Sequence, residues 1–209
     1  MSADARTRIV QAGYDALGSS FGEWGGRVEG DPSERFLADL ARRLRDGGRV
    51  LDLGCGNGTK LSLLADRLEL TGVDVSGEQL RLARANVPQA TFVHADFSDI
   101  DFPAETFDAA AALYSIVHVA REQHSGLFAR IERWLKPCCL FLASLSHVGG
   151  PDRAEEWLGV EMFFSGFDAE TNRGLVRAAG FELLADEVVW MREPKGEVAF
   201  LWVLATKPE

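Results

Sequence analysis

At 209 residues the chain has room for one α/β domain with a full core but not for two, so a single site is expected. Apolar residues at 46% and charged residues at 26% exclude the disordered and fibrous classes. The 32 acidic and 22 basic residues give a formal net charge of −10, a field that repels phosphate backbones and anionic lipid surfaces and argues against nucleic acid and membrane as partners.

The first residues carry no basic stretch leading into an apolar one, and no apolar run reaches the length of a membrane span, so a cytoplasmic protein is expected. The Arg-, Ala- and Gly-rich composition suggests a GC-rich bacterial genome. Cys55, Cys138 and Cys139 form neither a disulfide framework nor a paired metal-ligand spacing and read as reduced thiols. The whole chain, 1–209, reads as one domain with an N-terminal helical cap over about 1–30, which carries Tyr14, Phe21 and Trp24.

From there strand-like and helix-like periods alternate. Asp31-Pro32-Ser33-Glu34 supplies an N-cap, a proline at the first helical position and an early acid. Phe36, Leu37, Leu40 and Leu44 then share a helical face that stops near Gly47-Gly48. Val50 to Leu53 is a short first strand running into a glycine loop, with helical spacing at Leu61, Leu63 and Leu64. Leu70 to Val75 is the second strand, and Ser76 with Gln79 predicts a capping box for a helix to about Asn86. Thr91 to His94 and Phe107 to Leu113 are the third and fourth strands. A helix over Arg121 to Leu135 leads to a fifth strand at Cys139 to Ala143. Asp168 caps a helix ending at Gly180, and Phe181 to Met191 and Val198 to Ala205 flank a turn too short for anything but an antiparallel pair.

Asp52-Leu53-Gly54-Cys55-Gly56-Asn57-Gly58 lies where a strand meets a helix, the place at which open α/β sheets bind nucleotides. Glycines there let the backbone approach a ligand without a Cβ in the way. Asp74, about twenty residues on, would suit ribose hydroxyls in a dinucleotide fold as well. That fingerprint, however, places its last glycine where this chain has Thr59.

With these residues the chain resembles the class I S-adenosylmethionine-dependent methyltransferases, and in particular their small-molecule branch. The likeness covers about 48 to 145 by motif and the rest by element order. It implies a Rossmann-like α/β fold with a seven-stranded mixed sheet, order 3-2-1-4-5-7-6, the last strand antiparallel, and helices on both faces. It implies S-adenosyl-L-methionine as cofactor and S-adenosyl-L-homocysteine as product. Asp52, Gly54, Gly56 and Gly58 match the loop around the methionine part, and Asp74 matches the ribose acid. Asp96 matches the acceptor for the adenine amine, with Phe97 offering a backbone amide. The resemblance adds Asn57, Val75, Gln79 and Leu113 to the cofactor walls, and Tyr14 and Trp24 to a cover over it. The turn Lys136-Pro137-Cys138-Cys139 departs from the family's Lys-Pro-Gly-Gly, so strain is expected at a non-glycine residue there.

A sulfonium methyl is already electrophilic, so the enzyme has mainly to align a nucleophile, and no metal is required. An acceptor that loses a proton needs a base, and His118, with Tyr114 nearby in sequence, follows the fourth strand at the expected place. A packing role for His118 fits its sequence context equally well. His147 is a weaker candidate, His94 reads as structural within a strand, and His124 as structural on a surface helix. Trp157, Met162, Phe163, Phe164 and Phe167 form an aromatic insertion over about 146–167, flanked by Gly149-Gly150 and Gly166, that suits a lid on an apolar pocket. The expected function is methyl transfer to O, N or C of a small, partly apolar molecule, with bacterial specialised metabolism as its setting. The rival readings are a non-catalytic S-adenosylmethionine-binding protein and a nucleotide-dependent oxidoreductase. The acceptor and the oligomeric state stay open.

Overall fold

The computed structural model describes residues 3–209, so the first two residues of the expected cap lie outside the described residues. The chain opens with helices α1 (Ala3–Leu17), α2 (Ser20–Gly25) and α3 (Ser33–Arg43). The main run follows as β1 (Arg49–Leu53), α4 (Thr59–Ser62), β2 (Glu69–Asp74), α5 (Gly77–Asn86), β3 (Thr91–His94), β4 (Phe107–Ala112), a 3-10 turn (Ile116–His118), α6 (Arg121–Trp134) and β5 (Leu135–Ser146). It closes with β6 (Gly150–Trp157), β7 (Val160–Gly166), α7 (Ala169–Ala178), β8 (Glu182–Glu193) and β9 (Gly196–Thr206).

Seven strands build one sheet in the order β3-β2-β1-β4-β5-β9-β8, which is the expected order once β6 and β7 are set aside. The first five run parallel, and β9 enters antiparallel between β5 and β8, with Leu142 opposite Leu204 and Val203 opposite Asp186. The central strand β4 is Phe-Asp followed by four alanines, with Ala109 to Ala112 at most 3% exposed. Small side chains let helices approach the sheet from both sides, and they do. Phe36, Leu37, Leu40, Leu61 and Leu80 of α3, α4 and α5 fill one face. Leu127, Phe128, Ile131 and Trp134 of α6, with Val176 of α7, fill the other.

Local chemistry sets several element ends. Ser76 Oγ accepts from the Gln79 backbone N–H at 3.1 Å and Asp168 Oδ1 from that of Thr171 at 2.9 Å, starting α5 and α7 as expected. The capping box is one-sided, since the Gln79 side chain donates instead to the carbonyls of Gly18 and Tyr14. Pro32 precedes the first helical residue of α3 rather than occupying it, and α3 ends at Arg43, short of Gly47. Cys138 sits at φ 61, in the left-handed region anticipated for that turn.

Two features depart from the reading of the sequence. The aromatic insertion is a second, two-stranded sheet, β6 with β7, closed by Leu158 at φ 54 and Gly159 at φ 86. His124 is on the inner face of α6, 2% exposed, with Nε2 donating to the Val119 carbonyl at 2.9 Å. Among the described residues, no helix is long and apolar enough to cross a membrane.

Candidate functional site

The β1 loop leaves the carboxyl edge of the sheet as three glycines at positive φ, Gly54 at 76°, Gly56 at 52° and Gly58 at 77°. At Gly58 the demand is also one of space, because a Cβ would lie 3.2 Å from the Ala83 methyl of α5. Gly56 is different. The first atom its Cβ would meet is Phe21 Cε1 at 3.8 Å, so a side chain there would project into the gap between the loop and the N-terminal cap. The Asn57 Oδ1 accepts from the Thr59 N–H and hydroxyl and so shapes the start of α4, while its Nδ2 lies against Gly22 of the cap.

Two acids stand at the ends of neighbouring strands. Asp74, 8% exposed, accepts from the N–H groups of Gly56 and Ser76 at 2.8 Å each. Burial raises its pKa while those amides pull it back. Asp52 is 5% exposed, and no hydrogen-bond donor reaches it among the described residues. Burial, and after it the charge of Asp74, lifts its pKa to about 7. The Asp52 side chain shares a small cleft with Leu37, Lys60, Leu61 and Leu64 of α3 and α4 and the stretch after them. Asp96 accepts from the Ser98 N–H at 2.7 Å and the Thr7 hydroxyl at 2.6 Å. Phe97 is buried beside Gly54, and Leu113 packs with Leu61 and Leu64 under the loop. Val75 borders the third apolar cluster, and its carbonyl meets His94 Nε2 at 2.8 Å.

Four links that tie the cap to this edge bear on the site. Thr7 reaches Asp96, and Asp15 accepts from the Ser76 hydroxyl and the Glu78 N–H. Gln79, 0% exposed, holds the last turn of α1 through Tyr14 O and Gly18 O and so anchors the cap. The fourth link is between side chains: the Tyr14 hydroxyl lies 2.9 Å from His118 Nε2. Thr7 and Asp15 escaped the sequence reading, since neither stands in a motif. The only signal was their place on one face of a helix whose partner was unknown.

Around that link rings close in from three elements. Phe21 stacks on Trp24 at 5.9 Å, Trp24 meets Trp157 edge-on at 5.2 Å, and Phe164 lies 5.1 Å from His118. The insertion thus does face the cap, through a hairpin rather than a loop. His118 Nδ1 is 2.7 Å from the Phe163 carbonyl, which can only accept, so the proton sits on Nδ1 and Nε2 receives the Tyr14 hydroxyl. Burial lowers the His118 pKa to about 4, so the ring is neutral at pH 7. Burial and the Asp74 charge push the Tyr14 hydroxyl up, and it stays protonated.

Tyr114 does not join His118. Its hydroxyl donates to Asp31 Oδ1 at 2.8 Å, and its ring packs on Phe200 and Trp202. Asp31 also takes the Lys60 ammonium at 2.6 Å; burial opposes its charge, but Lys60 holds the carboxyl below the usual range. Tyr114 turns away because φ is 58° at this residue, which sends consecutive side chains of the loop to different sides. His147 is farther along the edge, against Trp190 at 5.6 Å.

A protein-family profile described as a methyltransferase domain matches residues 50–138. The chain is 35% identical over 114 residues to a phosphatidylethanolamine N-methyltransferase of Cereibacter sphaeroides, covering 49% of this chain and 55% of that protein. It is 42% identical over 115 residues to a trans-aconitate 2-methyltransferase of Acidovorax sp. (strain JS42), covering 53% of this chain and 43% of that protein. The chain therefore spans about half the length of these curated relatives. Among solved structures, the 1,6-didemethyltoxoflavin-N1-methyltransferase of Burkholderia thailandensis superposes with a TM-score of 0.75 at 22% identity. That match covers 100% of this chain and 92% of that one, and is a likeness of fold.

Proposed function

Because the chain belongs to the class I S-adenosylmethionine-dependent methyltransferase superfamily, we propose that it transfers a methyl group to O, N or C of a small, partly apolar acceptor held beneath the aromatic cap. The observation that carries the acceptor side is the Tyr14 to His118 hydrogen bond at 2.9 Å inside a wall of rings. When bound, S-adenosylmethionine supplies an electrophilic methyl on a sulfonium.

The chain's own residues do the rest. The β1 loop and Asp52 receive the methionine end, Asp74 offers its remaining lone pairs to ribose hydroxyls, and Asp96 with the Phe97 N–H lies where the adenine edge would be read. Phe21, Trp24, Trp157 and Phe164 exclude water and offer π faces to a flat or cationic acceptor. Burial lowers the His118 pKa and the Phe163 carbonyl opposes it.

The Tyr14 oxygen can accept a hydrogen bond from the acceptor's O–H or N–H while its own proton points at Nε2. Burial makes a charged His118 costly, so the proton moves along this pair only as the acceptor becomes acidic on gaining its methyl. The test is S-adenosylhomocysteine release with a panel of neutral phenols, amines and carboxylates, using wild type, His118→Ala and Tyr14→Phe. Turnover should fall roughly 10² to 10⁴-fold in both variants for an acceptor that loses a proton, with cofactor affinity near wild type. Binding of S-adenosylmethionine with no product from any acceptor would favour a non-catalytic binding protein; binding of NAD in its place would favour an oxidoreductase.

A further inference from the structure

The Tyr14 and His118 pair is assembled from three separate elements. Tyr14 comes from α1, His118 from the turn before α6, and the Phe163 carbonyl that takes the Nδ1 proton from β7. Apolar packing seats these elements on one another, with Val10 and Leu17 of α1 in one cluster with Met162 and Phe163 of β7. Packing of that kind is non-directional. A hydrogen bond to a ring nitrogen needs alignment as well as depth.

One side chain away from the pair touches all three elements. The hairpin ladder carries a bulge, where Pro151 and Asp152 of β6 stand opposite Ser165 alone, between the pairs Gly150 to Gly166 and Arg153 to Phe164. A bulge re-aims a side chain, and this one turns Asp152 towards α6 and α1. Asp152 Oδ1 accepts from the Ser165 hydroxyl at 2.7 Å and from Arg121 Nε at 3.2 Å. Its Oδ2 lies 3.9 Å from the Arg6 guanidinium of α1, which also pairs with Glu122 of α6 and stands 5.8 Å from the centre of the Phe163 ring.

Arg121 is three residues after His118, and Ser165 is two after Phe163. A single oxygen, Asp152 Oδ1, therefore bridges the same two segments that meet in the bond from His118 Nδ1 to the Phe163 carbonyl. The two links are neighbouring rungs, and holding one aligns the other. Arg6 precedes Tyr14 by about two helical turns on α1, so the same carboxylate also reaches the helix that supplies the hydroxyl. The Asp152 side chain is three-quarters buried and Ser165 is 5% exposed, which spares these contacts most of the screening that surface pairs suffer.

We infer that Asp152 is a positioning residue: by joining Arg121, Ser165 and Arg6 it keeps the Phe163 carbonyl on His118 Nδ1 and so leaves Nε2 bare for the Tyr14 hydroxyl. This rests on reading Tyr14 and His118 as the acceptor pair. The influence of Asp152 on the reaction passes through the tautomer of His118.

The experiment is nitrogen NMR of the full chain labelled with 15N-histidine, with neither cofactor nor acceptor added, on wild type, Asp152→Ala, Asp152→Asn and Ser165→Ala. A His118→Gln spectrum assigns the His118 signals. Wild type should show a protonated Nδ1 and a bare Nε2. In Asp152→Ala the two nitrogen shifts should converge as both tautomers populate, and β7 amides should exchange with solvent about tenfold faster while β4 amides keep their rate. Ser165→Ala, which removes one bond of the rung, should move the shifts the same way by less. Asp152→Asn keeps an acceptor oxygen for Arg121 and Ser165 and should restore most of the wild-type spectrum. An unchanged single tautomer in both alanine variants, or exchange accelerated equally in β4, would overturn the inference and leave the acceptor pair standing. Wild-type turnover in His118→Ala would instead overturn the acceptor reading, and with it the part of Asp152 in the reaction.

Discussion

Carrying the chain from pH 7 to pH 5 pulls on two buried groups in opposite directions. His118 titrates at about 4 when folded, below the ordinary 6.5. The unfolded chain takes up that proton first, so the stability His118 contributes is present above pH 6.5 and drains away as the pH falls towards 4. By pH 5 the loss is about 2 kcal/mol. Asp52 does the reverse. With a folded value of about 7 against an ordinary 3.8, it binds its proton more readily in the native state, and its contribution grows as the pH falls from 7 towards 4. Over the same interval the gain is about 2 kcal/mol, so the two nearly cancel in the wild type. Urea denaturation at pH 7, 6 and 5 of wild type, Asp52→Asn and His118→Gln exposes each one. Relative to wild type, Asp52→Asn should become less stable on acidification and His118→Gln more stable, by about 2 kcal/mol each. Parallel profiles for all three chains would refute the burial of both groups as described.

Other expectations follow from single contacts. Asp74→Ala should weaken S-adenosylmethionine binding at least tenfold, about 1.4 kcal/mol or more, by removing charge-assisted acceptors, and calorimetry that finds equal affinity in a folded variant would remove the ribose assignment. Gly56→Val should leave the sheet folded by circular dichroism yet abolish binding, because a branched side chain at φ 52 enters the gap below Phe21. Tyr114→Phe should cost about 1 kcal/mol of stability for the lost bond to Asp31 while turnover stays unchanged. A large drop in turnover would return Tyr114 to the acceptor site.

The parallel half of the sheet was readable because each strand is a short apolar run bounded by a turn or cap signal, as at Val50 to Leu53 or Ser76. The hairpin β6 and β7 was not. Asp152, Arg153, Glu155 and Glu156 leave β6 almost wholly solvent-facing, with no alternation to betray a strand. A trace did exist in Leu158-Gly159, a two-residue turn before the mostly apolar Val160 to Phe164. At the site, the glycine loop and its acids are local in sequence and could be found as a motif. Tyr14 and His118 are 104 residues apart, and nothing in either neighbourhood encodes the other. Tyr114 misled for a related reason: its place after β4 was correct, but the sign of φ at one residue decides which side of the loop a side chain faces, and sequence position carries no record of that for a tyrosine.

The separate ladder of β6 and β7 has a consequence in time. The hairpin shares no strand pairing with the main sheet, so it can part from the body without breaking any of the seven-stranded ladder, and its amides should exchange with solvent sooner than those of β4. Yet the Phe163 carbonyl on that hairpin is what fixes the tautomer of His118. While the hairpin is lifted, the imidazole is free to carry its proton on either nitrogen; once it is down, only one arrangement remains. On the proposed function, an acceptor bulky enough to hold the hairpin off would meet a histidine whose tautomer the Phe163 carbonyl no longer fixes.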